Sequence, residues 1–545
     1  MRRTVPFVTL ALALIATLLP TSPAAAAPAP APAPAPGARA VAWEPCPQDP
    51  AVECGTLAVP IDWDRPHGPT IDLALARRKA TDPAARIGSL VINPGGPGGS
   101  GVDFAFVAHG YFSPEIARRF DIVGFDPRGV ARSNPILCSA DFEHQLPPVI
   151  LKSQADYDAW IAYNERLRAD CRSHTGPLFD HVDTLSVVRD LDAIRAALGE
   201  AKLSYYGASY GTLIGQQYAE LFPRRVRALA LDSNMDHSVG TAAFVETQAA
   251  AVQDSFDEFV SWCERDPSCA LNGRDVRAFW RDLLVRADRG EVHPPAQPEL
   301  DVTSLDLVTV AFGHFYGPNW PQLATTLAGL IIDTAPATPA AKAAPAPGEA
   351  ATPDIPELLA TGAGAAPAPR AVPGNAELVN LPVEIFCQDY DLPIRDYREY
   401  ASLLRRSERA APDMLYSANV VGLVPSCLGH PRPIPNPQDE LRVRGSAPLL
   451  LGNALHDPAT GYNWATSTAR QLGRQAVLLT YEGWGHGIYP RGACTIRAFD
   501  DYLISGTLPA KGTRCPAAPA PEATAKRAPL LPRTGPLPNV PGWTP

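Results

Sequence analysis

The chain has 545 residues, 46% of them hydrophobic, and a net charge of −10 at pH 7 with no basic stripe. That composition supplies a large core and excludes nucleic acid as a partner, which would need clustered Lys and Arg. The length suits two or three domains, or one large domain carrying insertions.

The first elements in chain order are a targeting segment and a spacer. Arg2 and Arg3 precede the apolar run "PFVTLALALIATLL", and small residues follow at Ala24–Ala27. This reads as a signal peptide over residues 1–26, too short for a membrane span, and predicts secretion with no membrane contact after cleavage. Residues after the Arg pair do not continue a twin-arginine pattern. Residues 27–40 form a Pro/Ala spacer, extended because alternate prolines donate no ladder hydrogen bonds. The ten cysteines suit an oxidising compartment and contain no C-x-x-C, so disulfides are expected and a structural zinc is not. Sequence neighbours pair plausibly as 46–54, 138–171, 263–269, 387–427 and 494–515.

From residue 41 the chain alternates strands and helices. "TIDLALARRKA", "GSLVIN", "FDIVGFD", "KLSYYG", "RVRALALD", "LPVEIFC", "APLLLLGN" and "AVLLTYEG" read as strands, several of them apolar throughout. Continuous apolar strands imply a sheet covered on both faces. A helix is predicted from Asp183 to Leu198, with Leu185, Val188, Leu191 and Ile194 on one face and Gly199 as its stop. The order breaks where "FVETQAAAVQDSFDEFVSWC", "VRAFWRDLLVRA" and "WPQLATTLAGLI" read as helices. The expected organisation is a core over 41–235, a helical cap over 236–376 with a mobile Ala/Pro-rich run at 334–374, a second core half over 377–515, and a Pro-rich tail over 516–545. That tail contains "LPRTG" at Leu531–Gly535, which looks like a sortase signal, but "PLPNVPGWTP" follows where a hydrophobic segment and basic end belong. The match reads as chance.

Two motifs compete for the chemistry. "SLVINPGGPGGSG" places Gly96, Gly98 and Gly101 in a G-x-G-x-x-G pattern, with Asp121 about 20 residues on, as in a dinucleotide site. Pro97, however, deletes a backbone donor inside that loop. "SYYGASYGTLIGQQYAELFP" places Gly207, Ser209 and Gly211 in G-x-S-x-G between a strand and a helix, the context of a nucleophile elbow. A serine hydroxyl needs a base, and in this arrangement acid and then histidine follow in the chain. His486, after "AVLLTYEG", fits best, with His456 as its rival. Asp457, after the preceding strand, is the expected orienting acid, with Asp232 as runner-up and Glu482 third. The glycine loop then gains another use: its amides and that of Tyr210 are placed to hold an oxyanion.

Together "NPGGPGGSG", "DIVGFDPRGVARS", "DLDAIRAALGEAKLSYYGASYGTLIGQQYAELFP" and "EGWGHG" resemble the secreted tripeptidyl aminopeptidases, relatives of the prolyl aminopeptidases. The resemblance runs from Trp43 to Cys515. It implies an α/β-hydrolase fold: a mostly parallel sheet, helices on both faces and an inserted helical cap. It also implies Ser209, Asp457 and His486 as a triad, Gly96 and Tyr210 amides as the oxyanion hole, no cofactor, and release of short peptides from a free N-terminus. "HDPAT" departs from the family's Asp-x-x-Thr-Pro pattern, and the Ala/Pro run departs from its cap. A prolyl aminopeptidase or an ester hydrolase with the same triad is the alternative, and a non-catalytic binding protein is the reading from another class. Glu384, Asp389, Asp391, Glu246 and Asp254 are carboxylates that a substrate ammonium would suit.

Overall fold

The computed structural model describes residues 40–333 and 377–518. The signal peptide, nearly all of the spacer, the 334–374 run and the LPRTG tail expected from the sequence lie outside the described residues.

A ten-stranded sheet organises the rest. Its strands are β1 (Glu44–Pro45), β2 (Glu53–Pro60), β3 (Thr70–Arg78), β4 (Gly88–Asn93), β5 (Phe120–Phe125), β6 (Leu203–Ala208), β7 (Val226–Asp232), β8 (Leu449–His456), β9 (Ala476–Trp484) and β10 (Arg514–Cys515). Their spatial order is β1-β2-β3-β5-β4-β6-β7-β8-β9-β10. The first three strands pair antiparallel as far as the β3–β5 seam, and every later pair is parallel. The apolar strands alternate between two cores, as a period of two demands. Leu90, Ile92, Ile122, Tyr206 and Ala230 join Phe104 and Phe499 on one face. Val91, Val123, Tyr205 and Leu231 join Leu191, Leu213 and Tyr218 on the other.

Local sequence sets the flanking helices. Asp183 caps the helix Thr184–Ala197 by accepting from Ser186 N at 2.9 Å, and Gly199 turns the chain away at φ 74°. The five cysteine pairs are 46–54, 138–171, 263–269, 387–427 and 494–515, as neighbour pairing anticipates.

"LPVEIFC" is a difference from the sequence reading. It forms the buried helix Val383–Asp389 and not a strand. Short apolar runs carry no decisive period. The helical spacing shows only in its polar pair, where Gln388 Nε2 donates to Glu384 Oε1 at 3.1 Å across one turn. Further helices follow at Tyr397–Ala410 and Ala418–Ser426, and the sheet resumes only at Leu449. The apolar cluster of the cap, built on Phe256, Phe259, Trp280, Phe312 and Trp320, accordingly takes in Met414, Tyr416 and Val421 from beyond residue 376.

"DPRG" after β5 locks the antiparallel edge to the helix layer. Arg128 and Asp190 are both fully buried and meet in two hydrogen bonds, Nη2 to Oδ1 at 2.6 Å and Nε to Oδ2 at 2.7 Å. The remaining guanidinium donors reach the carbonyls of Pro60, Ile61 and His181. Removing one partner strands the other charge in the core. Asp190→Ala is therefore expected to lower unfolding free energy by about 3–5 kcal/mol in urea melts, whereas an exposed pair would contribute under about 1 kcal/mol.

Candidate active site

Strand β6 delivers Ser209 at a sharp bend before the helix Tyr210–Leu221. Ser209 sits at φ 55°, ψ −126°, a conformation that costs a non-glycine residue about 1–3 kcal/mol. Thr212 Oγ1 donates to its carbonyl at 2.6 Å, and its own N–H donates to the Asp232 carbonyl at 2.9 Å. The flanking glycines admit the bend: a Cβ on Gly207 would lie 2.4 Å from Gly211 O, and one on Gly211 would lie 2.7 Å from Asn93 Oδ1.

Asp457 follows β8 and His486 follows β9, and the structure brings them together. His486 Nδ1 lies 3.0 Å from both Asp457 carboxylate oxygens, and both residues are buried. The carboxylate also accepts from Ala459 N and Thr460 N at 2.9 Å, and from Thr460 Oγ1 at 3.1 Å. Burial alone would raise its pKa. The facing imidazole and these donors outweigh burial and hold it below the usual aspartate range. With Nδ1–H given to the carboxylate, Nε2 is the basic nitrogen, and it is buried without a hydrogen-bond partner.

Ser209 lines a cavity whose walls also include Tyr316 and Thr460. Both touch His486: the Tyr316 ring lies 4.9 Å from the imidazole, and Thr460 Oγ1 lies 3.4 Å from Nδ1. Ser209 Oγ and His486 Nε2 are not hydrogen-bonded in this conformation. Such bonds commonly tighten only when substrate arrives.

The rival groups are occupied elsewhere. His456 Nδ1 pairs with Asp254 Oδ2 at 2.8 Å, and Glu482 pairs with Arg514 at 2.6 Å on the surface. The Asp232 carboxylate takes the amides of Ile488 and Tyr489 and does not bond the imidazole.

The glycine loop lies flush against the elbow. A Cβ on Gly95, at φ 92°, would sit 2.4 Å from Ala208 O and 2.8 Å from Tyr210 N, so only glycine fits. Gly96 and Tyr210 line the same cavity as Ser209. Gly101 lets the following helix touch β5, where its Cβ would meet Phe125 O at 2.2 Å. Asp121 is spent on Ala80 N and Arg86 Nε, at 2.9 and 2.8 Å, which leaves the dinucleotide pattern without its ribose ligand.

The remaining wall is apolar, from Met235, Phe244, Phe386 and Leu423, with Gln248 and Asn419 as polar points. None of the five carboxylates considered for an ammonium lines it. Glu384 meets Arg168 and His430, Asp391 meets Arg432, Glu246 meets Arg406, and Asp254 meets His456. Asp389 lies behind the elbow, accepting from Tyr210 OH at 2.5 Å, and burial pushes its pKa up to about 7. Sequence reasoning missed Tyr316 and Gln248, which lie on cap helices and carry no motif. It also passed over Thr460, although Asp-x-x-Thr was there to be read.

Elbow, acid–histidine pair and glycine loop at the carboxyl ends of parallel strands define a serine hydrolase of the α/β-hydrolase fold. Family models agree: an alpha/beta hydrolase fold model matches residues 88–316 and a TAP-like protein model matches 413–515. Serine protease Hip1 of Mycobacterium tuberculosis H37Rv is 34% identical over 503 residues, covering 87% of this chain and 91% of that protein. The tripeptidyl aminopeptidase of Streptomyces coelicolor is 29% identical over 501 residues, covering 89% and 87%. Carboxylesterase B of M. tuberculosis is 31% identical over 479 residues, covering 85% and 86%. The chain belongs to the TAP-like family of α/β-hydrolase serine peptidases.

The lowered Asp457 pKa sets a sign. Its contribution to stability is complete above its unfolded pKa of about 3.9 and is lost as pH falls through the lower folded value. The stability gap between wild type and Asp457→Asn, measured in urea from pH 7 to 3, is expected to hold above about pH 4 and to narrow below it. A gap independent of pH would mean that the pair is not ionic.

Proposed function

We propose that this serine peptidase is a secreted exopeptidase that releases tripeptides from free N-termini through an acyl-enzyme on Ser209. The observation that carries the mechanism is the buried Asp457–His486 pair, its Nε2 unpartnered beside the cavity that Ser209 lines. In this reading Nε2 takes the Ser209 hydroxyl proton as Oγ attacks the carbonyl. The oxyanion accepts from Tyr210 N–H and Gly96 N–H, each such donor contributing about 3–4 kcal/mol to the transition state. Collapse expels the amine, protonated by His486, and water then attacks the ester with His486 again as base. Asp457 holds the tautomer and stabilises the imidazolium. Five disulfides support an oxidising destination. Among the described residues no helix is long and apolar enough to cross a membrane.

The test compares an Ala-Pro-Ala amide reporter with its N-acetylated form. N-acetylation is expected to lower kcat/KM by about 10²-fold or more, since an exopeptidase selects for the free N-terminal amine that acetylation removes. Ser209→Ala is expected to abolish both turnover and fluorophosphonate labelling. Equal cleavage of the two reporters would reject the exopeptidase reading. Turnover of short acyl esters alone would favour the carboxylesterase reading, which the apolar wall and the likeness to carboxylesterase B make the second choice.

The same wall sets an expectation for the residue whose carbonyl is attacked. Its side chain meets Met235, Phe244, Phe386 and Leu423, with no carboxylate in the lining to receive a cation. Leu at that position is expected to exceed Lys by about tenfold or more in kcat/KM, because an unpaired buried ammonium costs several kcal/mol. A preference for Lys would place the side chain elsewhere.

A further inference from the structure

We infer that Asp232 and Ser233 form a positioning anchor that holds the base loop at a fixed distance from the nucleophile. Asp232 ends β7, the strand between the one that carries Ser209 and the one that carries Asp457. It is fully buried, as is Ser233. Its main-chain carbonyl accepts from Ser209 N at 2.9 Å. Its side chain binds a different segment: Oδ1 accepts from Ile488 N at 2.8 Å and Oδ2 from Tyr489 N at 2.9 Å. Ser233 Oγ takes the intervening amide, Gly487 N, at 2.8 Å. Three successive amides directly after His486 are thus bound by two successive side chains, and the first of those residues also binds the nucleophile's own N–H.

Two features separate this anchor from ordinary loop packing. Tyr206 OH donates to Asp232 Oδ2 at 2.8 Å and shares a 2.6 Å hydrogen bond with Tyr111 OH, so the carboxylate is itself held from beneath. Ser233 adopts φ 63°, a conformation uncommon for serine, which is kept where it brings the hydroxyl to Gly487 N. A neutral amide cannot replace the carboxylate. With Asn at 232, Nδ2 faces a backbone N–H or the Tyr206 hydroxyl on one side, and at least one anchor bond is lost. The imidazole itself is oriented by Asp457, so the anchor acts on where the ring sits, not on which nitrogen is protonated.

The inference rests on Ser209 and His486 being nucleophile and base. The test uses the full chain and two readouts: kcat and KM on the tripeptide reporter per serine titrated by fluorophosphonate, and the labelling rate constant of Ser209. The second needs no peptide, so failure of the exopeptidase reading leaves it intact. Displacing a base by about 1 Å costs about 10²-fold. Asp232→Asn is expected to lower kcat per titrated serine by about that factor with little change in KM, and to slow labelling in step. Ser233→Ala, missing one anchor bond, is expected to lose about fivefold in both. If Asp232→Asn does not fold, Ser233→Ala carries the test alone. Variants that only melt earlier or titrate fewer serines, with kcat per titrated serine and labelling rate within twofold of wild type, would overturn the inference by making the anchor purely structural. So would a loss confined to KM.

Discussion

The hydrogen bond from Ser209 N–H to the Asp232 carbonyl ties the end of β6 to the end of β7 where both strands stop. Everything chemical in the molecule is built outward from that seam. Parallel strands deliver their carboxyl ends to one edge of the sheet, and an open α/β sheet binds its ligands there. Five consecutive strands, β4, β6, β7, β8 and β9, end at that edge in the glycine loop, Ser209, Asp232, Asp457 and the His486 loop. Residues far apart in the chain therefore meet without any local motif joining them. The tight approach of Gly95 to Ala208 and Tyr210 sets how near the glycine loop stands to the nucleophile.

Two carboxylates lie at that edge, both buried, and their surroundings push them in opposite directions. Burial raises Asp232, whose partners are two amides and a phenol. Asp457 is held low because the His486 imidazole faces both of its oxygens. A carboxylate that must stabilise a developing imidazolium belongs in the second environment. The two amides and the phenol that donate to Asp232 favour its charged form and offset part of what burial costs it. Chain order alone left both as candidates for the orienting acid, and the hydrogen bonds separate them: Asp457 faces His486 Nδ1, whereas Asp232 binds the amides of Ile488 and Tyr489.

The elbow was legible because its physics is local: a strand, a serine between two glycines and a helix occupy one short stretch. That Asp457 and His486 would meet was legible one step further out, since they follow adjacent strands, β8 and β9. The helix Val383–Asp389 was not, because every one of its residues is buried and a fully buried run loses the polar–apolar contrast on which a period depends. Tyr316 and Gln248 were not legible either. Their roles come from where cap helices cross the sheet edge, and nothing adjacent to them in sequence records that crossing. Thr460 stood in the open, three residues after Asp457. Its part lies in a side-chain bond back to the acid and a contact with the base, which a reading restricted to acid, base and nucleophile passes over.

The cap's contacts with the site show that it is more than a cover. Tyr316 O accepts from His486 N at 2.8 Å and from Arg491 Nη2 at 2.9 Å, and Arg491 also binds the carbonyls of His486 and Gly487. Gln248 Nε2 donates to Ala459 O at 2.6 Å, beside the acid. Trp484 Nε1 reaches Glu258, and His456 reaches Asp254, so the strand ends flanking the acid and the base are each pinned to the same cap helix, Thr241–Arg265. Burial would lower His456, yet the two cap carboxylates outweigh it and raise its pKa, which strengthens that pin as the imidazole gains its proton. A cap that swung clear of the sheet would break the bond that holds His486 N and dismantle the base it covers. Seating of the cap and placement of His486 are thus coupled through one main-chain bond, Tyr316 O to His486 N.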